Sequence, residues 1–485
     1  MQEIDIATIR EKAVKGIVAL TGRTFFIQVI AFGAMFLLTI FLSPAVFGIF
    51  YVVSACISFL SYFSDIGLAA ALIQKKEMIT DADLTTTFTI QQGLVFVLCV
   101  LMFSVSPFIG AFYKLDESGV WLLRSLIISF FLSSLKTVPS VLLERKLDFS
   151  KLVIPQIVET IGFYTVSVIL AWRGFGIASF SYAVLVRAIA GLLVLYAIAP
   201  WRISIGFSLP VAKKLLRFGI PFQLNSILAL AKDDLMTIFL GRILSFTEVG
   251  YIGWAKKWAE VPLRLIMDSV IRVTFPTFSR LQHDKAFLRI AIEKTLFGLA
   301  ATIVPISVVL LFFIEPAVSL IPKYGKWYPA LFSFYLFVIT SLIASFSTPL
   351  TNALNAVGKI KITLFLMVFW TVATWVLTLL FIPILGFSGV AVAQAVLSLS
   401  IFIVIILVKK VSPFSFVKSV RIPVIASVIQ GSVYFFFLGA QPYEFTKVIG
   451  VALFGVILYT GIVWFFERER IRQVLILFQK NTYET

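Results

Sequence analysis

Histidine is nearly absent from this sequence: there is one, His283, in 485 residues. A single imidazole excludes a multi-histidine metal site, and its place in a polar connection argues against a Ser-His nucleophile pair. Cysteine is almost as scarce. Cys56 and Cys99 lie inside apolar segments and supply neither a disulfide framework nor metal-ligand spacing. Charged residues make up only 13% of the chain, where a soluble domain averages about a quarter. Acids are scarcer than bases, 24 against 41, which leaves a formal net charge of +17. Long polar stretches are missing too, so no basic globular domain exists to hold nucleic acid. Connections such as residues 113–119 and 322–327 leave no room for a soluble catalytic domain. Any activity therefore sits among apolar segments, and neither a cofactor nor a metal is expected.

What the chain has in abundance is apolar surface: 60% hydrophobic residues, fifty Phe and nine Trp, with a mean hydropathy of +1.03. This is the composition of an all-α, polytopic membrane protein with aromatic belts. Runs of about 20 apolar residues, the length that crosses a bilayer, number about fourteen. The first six are Ile17 to Leu42, Val46 to Ile73, Thr85 to Phe112, Val120 to Leu143, Leu152 to Trp172 and Ile177 to Ala199. Eight follow: Phe218 to Leu240, Val249 to Phe278, Leu288 to Ile314, Tyr328 to Ala356, Ile362 to Ile382, Val390 to Val408, Phe416 to Leu438 and Thr446 to Phe466. Residues 1–16 are short, mixed in charge and without a small-residue cleavage pattern, so the first span is expected to remain in the protein.

Lys and Arg alternate between the connections. One set holds the N-terminus, Lys75, Lys76, Arg145, Lys146 and the tail after residue 467, whereas the opposite set holds only Lys114, Arg173, Arg242, Lys323, Lys326 and Lys447. The positive-inside rule then puts both termini in the cytoplasm.

Fragments recur about 200 residues apart. Thr39-Ile40-Phe41-Leu42 and Phe47-Gly48-Ile49-Phe50 are echoed by Thr237-Ile238-Phe239-Leu240 and Val249-Gly250-Tyr251-Ile252. Gly174-Phe175-Gly176 is echoed by Gly386-Phe387-Ser388-Gly389, and Pro139 by Pro349. Six spans per copy is an even number, so the copies run parallel and are related by an axis along the membrane normal. The expected organisation is a six-helix N-lobe at 1–205, a six-helix C-lobe at 206–411, two extra helices at 412–467 and a cytoplasmic tail at 468–485.

Charge inside the spans is the other signal. Lys232, Asp233 and Asp234 stand in the middle of the seventh span, and the eighth carries Lys257, Glu260, Arg264, Asp268 and Arg272. On one continuous helix at about 100° per residue, these five fall within roughly 60° of a single line. Charge in hydrocarbon costs several kcal/mol, so such residues face a protein interior or a wet cavity. The alternative is a stripe neutralised by neighbours, such as Lys257 with Glu260 and Arg264 with Asp268.

The second span carries the most specific pattern: Phe47-Gly48-Ile49-Phe50, then Phe63-Ser64-Asp65-Ile66-Gly67-Leu68-Ala69-Ala70-Ala71-Leu72-Ile73-Gln74. With Pro139 to Phe149 (PSVLLERKLDF) and the 6+6+2 plan, it resembles the Wzx-type polysaccharide transporters of the MOP exporter superfamily. The similarity is to the branch that exports colanic acid, teichuronic acid and lipopolysaccharide. The resemblance implies a non-enzymatic flippase that moves an undecaprenyl-diphosphate-linked oligosaccharide between leaflets of the cell membrane by alternating access. Its partners would be membrane lipid, H+ or Na+ as coupling ion, and a polysaccharide polymerase and glycosyltransferases.

Such a substrate needs cations for its diphosphate or acidic sugars. The candidates are Arg23, Arg124, Arg187, Lys257, Arg264 and Arg272. Candidates for ion coupling or gating are Asp65, Glu159, Lys232, Asp233, Asp234, Glu260 and Asp268, with Glu159 placed to meet Arg124 or Arg187. Gln91, Gln92 and Asn355 offer amides to sugar or, as is commoner, to neighbouring helices. A drug/cation antiporter of the same superfamily, a lipid II flippase, and a membrane glycan polymerase or ligase are the competing readings.

Overall fold

The computed structural model describes the backbone of residues 6–64, 66–75, 77–224, 227–439 and 442–483; within these, the side chains of 6–21, 23, 25, 221, 222, 224–232, 268, 269 and 471–483 lie outside the description. In chain order the helices are α1 (Ile6–Phe41), α2 (Pro44–Ser61), α3 (Leu68–Gln74), α4 (Asp81–Tyr113), α5 (Glu117–Ser134) and α6 (Thr137–Arg145). Then come α7 (Phe149–Trp172), α8 (Ala178–Ile198), α9 (Leu209–Leu224), α10 (Ile227–Ile243), α11 (Phe246–Ala259) and α12 (Val261–Arg280). The chain finishes with α13 (Lys285–Leu320), α14 (Leu331–Ala356), α15 (Ile360–Leu385), α16 (Ser388–Ser398), α17 (Ile401–Lys409), α18 (Phe416–Leu438) and α19 (Phe445–Tyr483). No strand occurs among the described residues.

Among the described residues ten helices are long and apolar enough to cross a membrane, and α5 with α6, bent by 40° at their junction, makes an eleventh. The protein is thus a multi-pass membrane protein. Of the remaining three expected spans, the first keeps the apolar stretch Phe26–Phe41 of α1 among the searched residues, the seventh falls on α9 and α10 with residues 225–226 between them outside the description, and the eighth is divided at Glu260. Pro262 accounts for this division. It has no N–H to offer the carbonyl one turn back, so α11 ends and α12 begins with the proline in its first turn. The five charges expected on one continuous rod therefore belong to two rods.

The chain separates into two compact units, Met1–Gly250 and Tyr251–Thr485. In the first, α3, α4, α6 and α9 share an apolar core that includes Leu68, Leu72, Leu84, Phe88, Val141 and Leu215. Phe50 stacks on Phe180 at 4.2 Å between ring centres, and Phe47 meets the same ring edge-on at 5.8 Å, which fixes α2 against α8.

Two glycine contacts set the helix spacing in this unit. Gly48, in the first turns of α2, lies directly against the backbone of Phe246, and Gly250 lies against the backbone of Pro44. Each glycine is four residues after the residue the other touches, so the contact is reciprocal between the two echoed fragments. At the other end of α2, Gly67 has φ +71° and its backbone abuts that of Gly219 in α9. A side chain at either site would separate the helices.

In the second unit the core joins α12, α13, α14, α17 and α18 through residues such as Phe278, Leu296, Leu350, Leu354 and Val404. Trp254 stacks on Trp327 at 5.2 Å, both fully buried, and donates its indole N–H to the Tyr324 hydroxyl at 3.3 Å. The indole of Trp370 donates to the Ser400 hydroxyl at 2.8 Å, holding α15 at the α16–α17 break. Tyr459 donates to the Ala301 carbonyl at 2.9 Å and binds α19 to α13.

Candidate functional site: intramembrane cation clusters

In the first unit α6, α7 and α8 bring three charges together. Lys136 stands at the α5–α6 bend, where its side chain reaches Glu159 Oε1 of α7 at 2.6 Å. Arg187 of α8 approaches the other oxygen of the same carboxylate, Nε to Oε2 at 3.8 Å. Gly191, one turn beyond Arg187, presents no side chain to Glu159, and the carboxylate occupies that space. Lys136 and Glu159 are largely enclosed, whereas Arg187 is 57% exposed. Two cations share one carboxylate, so the cluster keeps a net positive charge. At 3.8 Å the guanidinium is held near Glu159 without a full hydrogen bond, and its remaining donors are available to an anion.

The second unit carries a similar arrangement at the α11–α12 division. Glu260 accepts from Arg264 at 2.8 Å (Nη2) and 3.3 Å (Nε), and Lys256 stands 4.0 Å away. Lys257, half-buried on the same turn, is not within ion-pair distance of a carboxylate among the described residues. Arg272 is exposed further along α12. Lys256 and Arg264 share Glu260, and Lys257 on the same turn adds a further positive charge to the group.

The other candidates do not join these clusters. Arg124 lies on α5, where its Nε donates to the Ser106 hydroxyl at 3.1 Å and its guanidinium sits 5.1 Å from the centre of the Phe103 ring. Of the two partners considered for Glu159, the structure brings up Arg187 and leaves Arg124 on α5 facing α4. Asp233 is exposed and Asp234 half-buried on α10. Asp65 and the side chains of Arg23, Lys232 and Asp268 lie outside the described residues.

The amides serve as interhelical ties. Gln91 donates to Thr137 at 2.8 Å, Ser134 donates to Gln92 at 3.1 Å, and Asn355 accepts from Thr363 at 2.6 Å.

Arg145 is a residue whose role sequence reasoning missed. From the end of α6 its guanidinium donates to the carbonyls of Leu72 at 2.8 Å, Lys75 at 2.5 Å and Glu77 at 3.2 Å. It thus closes the C-terminus of α3, where carbonyls have no helical partner. The GLAAALIQ segment and the ERKLDF segment, 70 residues apart, are one structural unit. Beside them Lys75 reaches Asp83 and Lys214 reaches Glu77 at 2.7 Å. That ammonium holds the Glu77 carboxyl below the usual range, because it donates a hydrogen bond to the charged form.

The profile of a polysaccharide biosynthesis protein family matches residues 37–331, well over half of the chain. The chain belongs to this family, as a Wzx-type polysaccharide transporter of the MOP superfamily. Among its relatives is the lipopolysaccharide biosynthesis protein WzxC of Escherichia coli, 27% identical over 377 residues that cover 77% of this chain and 74% of WzxC. The succinoglycan biosynthesis transport protein ExoT of Rhizobium meliloti is 28% identical, over 50% of this chain and 49% of ExoT. The teichuronic acid biosynthesis protein TuaB of Bacillus subtilis is 28% identical, over 46% of this chain and 47% of TuaB. In fold, the chain is similar to the lipid II flippase MurJ in an inward closed conformation, with a TM-score of 0.73 at 15% identity, covering 94% of this chain and all of that one. The family match and the sequence relatives make it a transporter for polysaccharide biosynthesis.

Proposed function

We propose that the protein flips an undecaprenyl-diphosphate-linked oligosaccharide repeat unit from the cytoplasmic to the outer leaflet of the cell membrane, and that it catalyses no covalent step. The observation that carries this reading is the cluster among α6, α7 and α8 in which Lys136 and Arg187 share the Glu159 carboxylate, with Lys256 and Arg264 around Glu260 as a second group of the same kind. Unbalanced positive charge in an apolar surrounding is costly unless an anion arrives, and a diphosphate is a matching ligand for guanidinium and ammonium groups. The three relatives named above serve chemically different polysaccharides. Recognition in our reading therefore falls on the lipid diphosphate rather than on one sugar. The same cation surplus disfavours a cationic-drug antiporter, whose site would need acids.

Alternating access in this proposal moves the lobe 1–205 against the lobe 206–411. Both termini are cytoplasmic, Asp233 and Asp234 are the ion-coupling acids for H+ or Na+, and glycosyltransferases and a polymerase act before and after the protein. The test is binding of a polyprenyl diphosphate and of the matching polyprenyl alcohol to the purified protein. The expected result is salt-sensitive binding of the diphosphate, weakened about tenfold or more when Lys136 and Arg187 are both replaced by Gln, since each charged hydrogen bond contributes about 1.5–3 kcal/mol. Equal binding of the alcohol would contradict the proposal.

A further inference from the structure

A groove of about 310 Å³ runs between α4 and α5, walled by Phe96, Val100 and Phe103 on one helix and by Ile128 and Phe131 on the other. The α4 residues recur at i, i+4 and i+7. Arg124, Ile128 and Phe131 of α5 recur in the same way, so Arg124 continues the groove's wall toward the short α4–α5 connection. There its guanidinium covers the Phe103 ring at 5.1 Å. One of its five N–H donors is used, by Ser106. Among the described residues no carboxylate pairs with it. Trp121, one turn nearer the connection on the same face, is 41% exposed. An exposed Trp of this kind marks the level of the lipid headgroups, and Arg124 lies about 4.5 Å deeper. From that depth a guanidinium snorkels outward to the headgroup phosphates, with acyl carbon below it.

We infer that this groove is a binding site for an anionic glycerophospholipid, with its phosphate on the free fork of Arg124 and one acyl chain between Phe96, Val100, Phe103, Ile128 and Phe131. Charge decides the occupant. An unpaired guanidinium at the edge of hydrocarbon is balanced by a phosphate that carries net charge, and it gains less from a zwitterionic headgroup, whose choline neutralises the phosphate. The bilayer itself supplies this ligand, so the site is filled whether or not transport substrate is present. Arg124 then anchors the protein in its lipid and lies off the transport path.

The test uses full-length protein in phosphatidylcholine nanodiscs doped with a photoreactive probe, either phosphatidylglycerol or phosphatidylcholine with a diazirine in the acyl chain. Crosslinked peptides are mapped by mass spectrometry. The expected result is labelling of residues 96–103 and 127–131 roughly tenfold stronger with the glycerol probe, as loss of one charged hydrogen bond implies. Arg124→Gln should bring the two probes level. Ile128→Trp, which fills the groove and keeps the charge, should abolish labelling by both. Equal labelling of wild type by both probes would reduce the groove to ordinary boundary lipid and overturn the site. Displacement of the glycerol probe by stoichiometric undecaprenyl phosphate would also overturn it, in favour of a substrate site. None of these readings depends on transport.

Discussion

Replacing Gly48 with alanine places a methyl group 2.6 Å from the carbonyl carbon of Phe246, and the same change at Gly250 places one 2.7 Å from that of Pro44. Ordinary contact begins near 3.4 Å, so α2 and the start of α11 must separate by at least about 0.8 Å (3.4 minus 2.6) at Gly48. The obstructing atoms are backbone, which no rotamer change can move aside. Overpacking of this kind costs about 1–3 kcal/mol, and a glycine-to-alanine gain in helix propensity returns about 1 kcal/mol at most. The Phe246 and Pro44 carbonyl oxygens lie nearer still to the added carbons, which puts the cost at the upper end of that range, so each variant should lose about 2 kcal/mol, and the double variant should lose less than the sum, because one separation relieves both contacts. Thermal unfolding of the detergent-solubilised protein, followed by size-exclusion fluorescence, measures this. Gly93→Ala, with nothing near its added carbon, is the control and should be neutral or slightly stabilising. The reasoning fails if Gly48→Ala and Gly250→Ala melt like that control, or if the double variant is fully additive.

Arg145→Lys should loosen the α3–α4 turn although it keeps the charge, because an ammonium cannot reach three carbonyls in the plane of a guanidinium; faster proteolysis within residues 72–80 reads this, and unchanged cleavage would refute it. Charge reversal at Arg187 or Arg264 should impair export more than lysine at the same position, with cell-surface polysaccharide as the readout; equal export by the reversed variants would remove both residues from the path. Glu159→Gln should leave Lys136 and Arg187 without their shared carboxylate and tighten polyprenyl diphosphate binding several-fold while slowing release, measured by retention on immobilised protein. The Lys214–Glu77 tie responds to pH with a fixed sign. Glu77 has a lowered pKa in the folded protein, so its contribution is present above the ordinary carboxylate range and is lost as pH falls through the depressed value; Glu77→Gln should remove that acid-dependent step from a protease-sensitivity profile.

Much of the architecture was legible because bilayer physics leaves few choices. Long apolar runs become helices since every backbone group must be satisfied internally, and eleven of the fourteen expected spans stand as long apolar helices or a bent pair. Where a span was read as one rod and is two, Pro262 was visible in the sequence, but apolar neighbours masked its effect. The echo of Phe47-Gly48 in Val249-Gly250 was also legible. Its consequence, a reciprocal backbone contact, was not, because helix crossing depends on tertiary packing. The charge partners show the same limit. Glu159 could be placed near Arg187 by chemistry, but Lys136 reached it only because the chain bends between Ser134 and Thr137. Arg145 looked like an inside-positive loop residue, since a guanidinium that caps a helix 70 residues away leaves no periodic trace.

The central claim is lipid-linked glycan flipping, and the direct measurement is transbilayer movement of a fluorescent undecaprenyl-diphosphate oligosaccharide in liposomes containing the purified protein, with and without an imposed proton or sodium gradient. The account predicts movement that requires the diphosphate, is lost when Lys136 and Arg187 are both replaced by Gln, and is accelerated by one of the two gradients. Movement of small organic cations with no movement of the glycan lipid would contradict it.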